Sequence, residues 1–382
     1  MAQTVFILGA GASKQGGAPL MMEFLDAADL AFKAGRVAAA DKEHFERVFR
    51  GVGKLQQVQS KQGSLDLVNI ESVFGAFEMA RTLGKLPGFD VKEIDLLLPS
   101  MVRLIVRTLE LNLAFRRGHN ETEILPPTPY DDFVELLQQL KAKAKPPHTV
   151  AVLTFNYDAA LDWAITREWL MRGGRSKAVF YGLEGGSAPP ESITLLKLHG
   201  SVNWFACDGA GTHDEHVAEW PISEALQHAN QSRGVHAWDV LYSMDFSAFK
   251  DHSVSAPLIV PPTWSKGEYY RQLGKVWSHA AQELGEAENI IVIGYSLPRS
   301  DSFFPLLFGL GTVGDQPLRR FWVFDPDEKV GDRFREMLGP GAQQRFKHFA
   351  THRLRDPQVP NAVVPMRFDH AIKELKERLQ VG

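Results

Sequence analysis

Hydrophobic and polar positions along this chain fall into two rhythms. Thr4 to Leu8 is a short β-branched and aliphatic run that stops at Gly9-Ala10-Gly11-Ala12-Ser13, the pattern of a buried strand entering a tight loop. From Pro19 to about Lys145 apolar residues recur instead at helical spacing: Leu20-Met21-Phe24-Leu25-Ala28, Phe45-Val48-Phe49-Val52, Val73-Phe74-Phe77, Ile94 to Phe115, and Phe133-Leu136-Leu137-Leu140. This predicts about five helices and no strand, separated by breaks such as Ser60-Lys61-Gln62-Gly63 and Gly118-His119-Asn120-Glu121. Asp26, Asp41, Asp158 and Asp301 read as N-caps.

After Lys145-Pro146-Pro147 the strand signals return, each run closing on polar residues or proline. Val150 to Thr154 meets Phe155-Asn156-Tyr157-Asp158, Ile193 to Leu198 meets His199-Gly200-Ser201, and Leu258-Ile259-Val260 meets Pro261-Pro262. Ile290 to Ile293 meets Gly294-Tyr295-Ser296, and Phe321 to Phe324 meets Asp325-Pro326-Asp327. Such strands predict an open α/β fold, a Rossmann-type parallel sheet whose carboxyl-end loops bind a ligand. Helices over Ala159–Met171, Tyr269–Leu284 and Ser302–Leu310 supply crossovers, and Phe368–Leu379 reads as a final amphipathic helix. The segment 206–252 reads as loops and short helices. The expected organisation is a discontinuous catalytic domain over 1–19 and 146–350, a helical insertion over 20–145, and a C-terminal extension over 351–382.

Composition narrows the function classes. A net charge of −4 gives no global reason to expect nucleic acid or an anionic membrane as partner. The single cysteine, Cys207, excludes an intrachain disulfide and a four-thiolate zinc site, and suits a reducing, cytoplasmic setting. There is no basic region before the first apolar run, and no uninterrupted apolar stretch of the ~20 residues that a spanning helix needs. His213-Asp214-Glu215-His216 lacks a further ligand motif, so it reads as a hydrated loop and no metal is expected. Arg103 and Arg107, four apart, with Arg116 and Arg117, read as a solvated or partner-facing helix surface.

The loops at strand ends carry the candidate chemistry. Gly9-x-Gly11 is compatible with a phosphate cradle and with an ordinary strand-to-helix turn. The third glycine of a dehydrogenase fingerprint is replaced by Lys14, and no second strand ending in an acidic residue follows, which disfavours a nicotinamide oxidoreductase. Asn156 and Asp158 are placed either to face a pocket or to form a turn before the next helix. His199 is either structural or a proton-transfer group near neutral pH.

Taken in order, Gly9-Ala10-Gly11-Ala12-Ser13, Thr154-Phe155-Asn156-Tyr157-Asp158, Lys197-Leu198-His199-Gly200-Ser201, Gly294-Tyr295-Ser296-Leu297 and Phe324-Asp325-Pro326-Asp327 resemble the NAD-binding motifs of sirtuins. In detail the sequence resembles the sirtuin-like NADases of bacterial antiphage defence, whose histidine loop is like His199-Gly200-Ser201-Val202-Asn203-Trp204; Asn69-Ile70-Glu71 also resembles a short motif of those proteins. The resemblance implies NAD+ as substrate, cleaved to nicotinamide and ADP-ribose in antiviral defence by NAD+ depletion. It implies contacts to the pyrophosphate from Gly9, Ala10, Gly11 and Ser13, a place beside the nicotinamide ribose for Asn156, and the carboxamide for Asp158. His199 would act on ribose hydroxyls or the nucleophile, Gly294 and Ser296 would line the phosphate and ribose path, and Asp325 the adenosine end. A homo-oligomer, and a HerA-like ATPase or other defence-operon partner, are implied in the same way. Two departures stand out: the paired Cys-x-x-Cys zinc ligands of deacylating sirtuins are absent, and Gly17-Ala18-Pro19-Leu20-Met21 replaces their Pro-Asp-Phe-Arg segment. The alternatives are an NAD-dependent protein deacylase or ADP-ribosyltransferase, and a non-catalytic NAD or ADP-ribose sensor.

Overall fold

The computed structural model describes residues 2–59, 65–113, 115–118, 123–142, 148–207, 216–219, 257–260, 267–299, 301–313, 316–348 and 359–379. Strands in chain order are β1 (Ala2–Leu8), β2 (Arg116–Arg117), β3 (Ile124–Leu125), β4 (His148–Thr154), β5 (Val179–Phe180), β6 (Ile193–Lys197), β7 (Gly200–Cys207), β8 (His216–Glu219), β9 (Pro257–Ile259), β10 (Asn289–Ile293), β11 (Arg320–Phe324), β12 (Phe346–His348) and β13 (Asn361–Val364). The chain divides into two compact units, residues 1–16, 115–198 and 273–382 in the first, 17–114 and 199–272 in the second.

The first unit carries an eight-stranded sheet in the order β12-β13-β11-β10-β1-β4-β6-β5. Every pairing in it is parallel, so the fold is α/β. Val5, Phe6 and Ile7 of the central strand are wholly buried, which is why β1 reads as a continuous apolar run and not an alternating one. Order runs outward from β1 in both directions, to β4, β6 and β5 on one side and to β10, β11, β13 and β12 on the other. The connections therefore diverge at β1, and a crevice is expected at its carboxyl end.

Helix Tyr130–Ala142 turns Phe133, Leu136, Leu137 and Leu140 inward. Phe133 meets Phe6 edge-on at 5.2 Å between ring centroids, and on its other side Phe368, the first residue of helix Phe368–Arg378, also at 5.2 Å. Each buried side chain of this kind contributes roughly 1.5–3 kcal/mol relative to exposure. These contacts bring residues 115–142 and 359–379 into the sheet-bearing unit. Helices Ala160–Met171, Gly267–Glu286 and Phe303–Gly311 follow the crossover expectation to within two residues.

The second unit holds helices Phe24–Lys33, Ala39–Gln59, Ile70–Leu83, Val91–Asp95 and Leu97–Asn112, and a three-stranded sheet ordered β8-β7-β9. Both of its pairings are antiparallel. Leu258-Ile259-Val260, expected in the parallel sheet, contributes instead to β9; an apolar run of three carries no information about strand direction. Residues 206–207 and 216–219, expected as loop, lie in β7 and β8. The rest of 206–252, with the side chains of the His213–His216 cluster, lies outside the described residues.

Other expectations are corrected by packing. In the first unit β2 and β3 form a two-residue antiparallel ribbon where no strand was expected. Arg107 is buried, and with Arg103 it grips the buried Asp41 carboxylate at 2.6 and 2.5 Å, while also pairing with Glu110. These two arginines therefore tie helix Leu97–Asn112 to helix Ala39–Gln59 and do not form a solvated basic face. Asn69 is the N-cap of helix Ile70–Leu83, accepting from Glu71 N at 2.9 Å, with Ile70 and Glu71 buried. None of the four aspartates is itself the cap residue. Asp26 and Asp41 lie in first turns, and Ala159 and Ser302 occupy the positions expected for Asp158 and Asp301.

Candidate functional site

Parallel register fixes which loops are neighbours. Leu8 is level with both Ile293 and Thr154, and Ile293 is level with Phe324. Asp325, Gly294, Gly9 and Phe155, each the next residue in its strand, therefore start four adjacent loops at the carboxyl edge of the sheet. Thr154 is level with Lys197, and Leu198 N donates to Thr154 O at 2.9 Å, so β6 ends beside the fourth of these loops.

The glycines serve the crossing of two of these loops. Gly9 N donates to Ile293 O at 3.2 Å and Gly11 N to Gly294 O at 2.9 Å. A Cβ on Gly9 would lie 2.6 Å from Gly294 O, and one on Gly11 2.8 Å from Gly294 Cα. Gly294 has φ +61°, and a Cβ there would meet Ala12 N at 2.5 Å. The space left by the missing side chains is thus filled by the other loop's backbone. Leu297, three residues on, is buried with φ 49°, a left-handed conformation that a branched L-residue adopts only when its surroundings impose it. Tyr295 stacks on Phe155 at 4.0 Å with 7° between ring planes, joining the β10 loop to the β4 loop, and its hydroxyl donates to Asp301 at 3.1 Å.

Next to the crossing lies a buried polar cluster. Asn156 Nδ2 donates to Gly9 O at 2.9 Å and to Ser13 Oγ at 3.1 Å. A carbonyl can only accept, so the amide orientation is fixed, and Oδ1 faces away from both partners. Ser13 has one hydrogen, which goes to Asp158 Oδ2 at 2.7 Å. Tyr130 Oη, 2.7 Å from the same Ser13 Oγ, must therefore be a donor. Asp158 Oδ1 accepts from Ala160 N at 3.0 Å. Burial pushes the Asp158 carboxyl above the usual carboxylate range, opposed by the Lys197 charge and by the hydrogen bonds from Ser13 and Ala160. Burial, with the nearby Asp158 charge, likewise holds the Tyr130 hydroxyl well above the ordinary tyrosine range.

The remaining expected positions are less tightly held. Ala10, Gly11 and Ser296 are part-buried. Asp325 is buried, and its Oδ1 accepts from Asp327 N at 2.9 Å; burial pushes its carboxyl upward.

His199 belongs to the second unit, of which it is the first residue after Leu198. It is buried, and its carbonyl accepts from Val260 N at 2.8 Å. Gly200 has φ +79° and faces the Leu258 carbonyl too closely for any Cβ. Ser201 Oγ donates to Asn203 Oδ1 at 2.6 Å, and Trp204 is wholly buried. Strand packing accounts for the Gly, Ser, Asn and Trp positions of this motif.

Sequence reasoning passed over Tyr130, 117 residues from its partner Ser13, because no local pattern joins them. It also gave no role to Lys197, Asp162 or Tyr181. Lys197 and Asp162 did carry a signal: a charge at an apolar position of a strand or helix is rarely buried without a partner. Among the described residues no group of three or more His, Cys, Asp or Glu is placed to hold a metal ion, and no helix is long and apolar enough to cross a membrane.

No family model matches the sequence, and no curated protein matches it. Solved structures do align with nearly all of it at low identity. A Sir2–p53 peptide–NAD+ complex is 12% identical over 100% of this chain and 94% of its own, with a TM-score of 0.41. A Sir2 homologue–NAD complex is 13% identical over 99% and 89%, with a TM-score of 0.37. A mutant Sir2 homologue with ADP-ribose is 12% identical over 99% and 92%, with a TM-score of 0.39.

Proposed function

We propose that this chain hydrolyses the nicotinamide–ribose bond of NAD+. The observation that carries the proposal is Asn156, held by Gly9 O and Ser13 Oγ with its Oδ1 directed away from them, beside the point where the sheet connections diverge. That is the arrangement of a preorganised acceptor for a water or a ribose hydroxyl.

In this reading the glycosidic bond breaks with its electron pair passing to the pyridinium nitrogen, so nicotinamide leaves neutral and positive charge develops at the ribose. Asn156 Oδ1 accepts from the attacking water, or from a ribose hydroxyl that it holds in place beside it. His199 takes the proton that the attacking oxygen loses, a contribution of about 10²–10⁴-fold. Water, NAD+ and the enzyme thereby give nicotinamide, ADP-ribose and a proton. Gly9, Ala10, Gly11 and Ser13 border the pyrophosphate, Gly294 and Ser296 the phosphate and ribose path, and Asp325 the adenosine end. Asp158 meets the carboxamide through lone pairs left over from Ser13 and Ala160.

An unregulated NADase would strip its own cell of NAD+, so the activity is read as gated in the cytoplasm, through self-assembly or a HerA-like ATPase or other partner encoded alongside, in the setting of antiviral defence. Purified protein incubated with NAD+ alone, and with the neighbouring gene's product added, tests this by chromatography of NAD+, nicotinamide and ADP-ribose. Release of both products, lost in Asn156→Ala, supports hydrolysis. Release only with an acyl-lysine peptide or another acceptor identifies a deacylase or ADP-ribosyltransferase, and binding without turnover identifies a sensor.

A further inference from the structure

Lys197 is fully buried at the end of a fully buried strand, where a cation is unfavourable unless something requires it. Its Nζ donates to the carbonyl of Asp158 at 2.6 Å, and the Tyr157 carbonyl lies at 3.5 Å. Its counter-ion is the buried Asp162 in helix Ala160–Met171, at 3.1 Å. Asp162 is held in turn by Tyr181 Oη at 2.7 Å. One ammonium thus grips the backbone of the loop that carries Asn156 and Asp158, and anchors that loop to the strand and helix on either side of it.

We propose that Lys197 is a positioning residue for Asn156, acting through the carbonyl of Asp158 and not on substrate. This rests on the hydrolase reading above. An apolar residue at position 197 would fill the strand equally well, whereas only a long donor reaches the two carbonyls and the Asp162 carboxylate together. The side chains of Asn156 and Asp158 tie the loop to Gly9, Ser13 and Ala160, and the Lys197 grip holds its backbone. Releasing that grip lets Asn156 Oδ1 wander, and a displacement of about 1 Å is enough to cost on the order of 10²-fold in rate.

Lys197→Met alone leaves Asp162 as a buried unpaired charge and can unfold the chain, so the deciding variant is Lys197→Met combined with Asp162→Leu, which removes both charges. Hydrogen exchange over residues 155–160 and steady-state NAD+ hydrolysis are measured on both variants and the wild type, with thermal unfolding as the check on folding. The expected result for the double variant is cooperative unfolding, at least tenfold faster exchange of the Asn156 and Ala160 amides, a kcat lowered at least tenfold, and a KM for NAD+ within threefold of wild type. A folded double variant with wild-type exchange in this loop overturns the proposal, as does one with faster exchange and an unchanged kcat. If the wild type hydrolyses no NAD+ under any condition, the hydrolase reading fails on its own, and the exchange rates still decide whether Lys197 holds the loop.

Discussion

The amide nitrogen of Asn156 lies 2.9 Å from the carbonyl oxygen of Gly9, so the loop after one strand sets the side-chain orientation in the loop after its neighbour. A carboxylate cannot replace that amide, because Asn156→Asp would turn an oxygen toward an oxygen. In an assay of nicotinamide release the Asp variant is expected to fall about 10²–10³-fold, the usual worth of one preorganised polar group, and to do no better than Asn156→Ala. It should also melt below the wild type. Wild-type turnover by Asn156→Asp would remove the orientation of this amide from the mechanism.

Ser13 is the hub of the buried cluster, with Tyr130, Asn156 and Asp158 all bonded to one hydroxyl. Ser13→Ala takes the acceptor from the Tyr130 hydroxyl proton and the donor from one Asp158 oxygen, a cost of about 1–3 kcal/mol for each buried group that loses its partner. Tyr130→Phe removes only a donor and should cost less. In the double variant the hydroxyl proton without an acceptor is gone, so the combined loss in denaturant titration should be smaller than the sum of the single losses. Strict additivity would show that Tyr130 and Ser13 do not act together.

The parallel sheet was legible because residues 5–8 of β1, 150–153 of β4, 290–293 of β10 and 321–324 of β11 are buried on both faces and read as unbroken apolar runs. The two-residue β5 and three-residue β12 are too short for any period to show. Asn156, Asp158 and Gly9 were legible as candidates because they stand at the ends of strong strands. Their mutual bonds were not, since Asn156 and Gly9 are 147 residues apart and only register brings them level. At Gly9 and Gly11 the sequence leaves open a phosphate cradle or an ordinary turn; what a side chain there would strike is Gly294 and Tyr295, a tertiary fact with no sequence period.

That loop crossing predicts a sharp contrast among glycines. Gly294→Ala combines a positive φ with a Cβ 2.5 Å from Ala12 N, and overpacking of this kind costs about 1–3 kcal/mol before the left-handed conformation adds about 1–2 more. Gly53, inside helix Ala39–Gln59, has nothing within 4 Å of the place its methyl group would take, so Gly53→Ala should stabilise by up to about 1 kcal/mol. Melting temperatures of the two variants should move in opposite directions. Equal and small shifts would mean that the two loops do not approach as closely as described.

Glu283 gives the pH dependence a defined sign. Burial, with the nearby Glu286 charge, pushes its carboxyl up from 4.5 to about 7, although Gln3 donates to it. The folded protein therefore holds a proton here that the unfolded chain has released, and stability falls as pH rises from about 4.5 through about 7. The contribution is at most roughly 3 kcal/mol. His148 acts in the opposite sense, since burial and Arg320 lower its pKa and disfavour its charged form in the folded state. The comparison that isolates Glu283 is thus wild type against Glu283→Gln across pH 5 to 8. The variant should match the wild type near pH 5 and melt above it at pH 8; parallel curves over the whole range would show that the carboxyl is already ionised when the protein is folded.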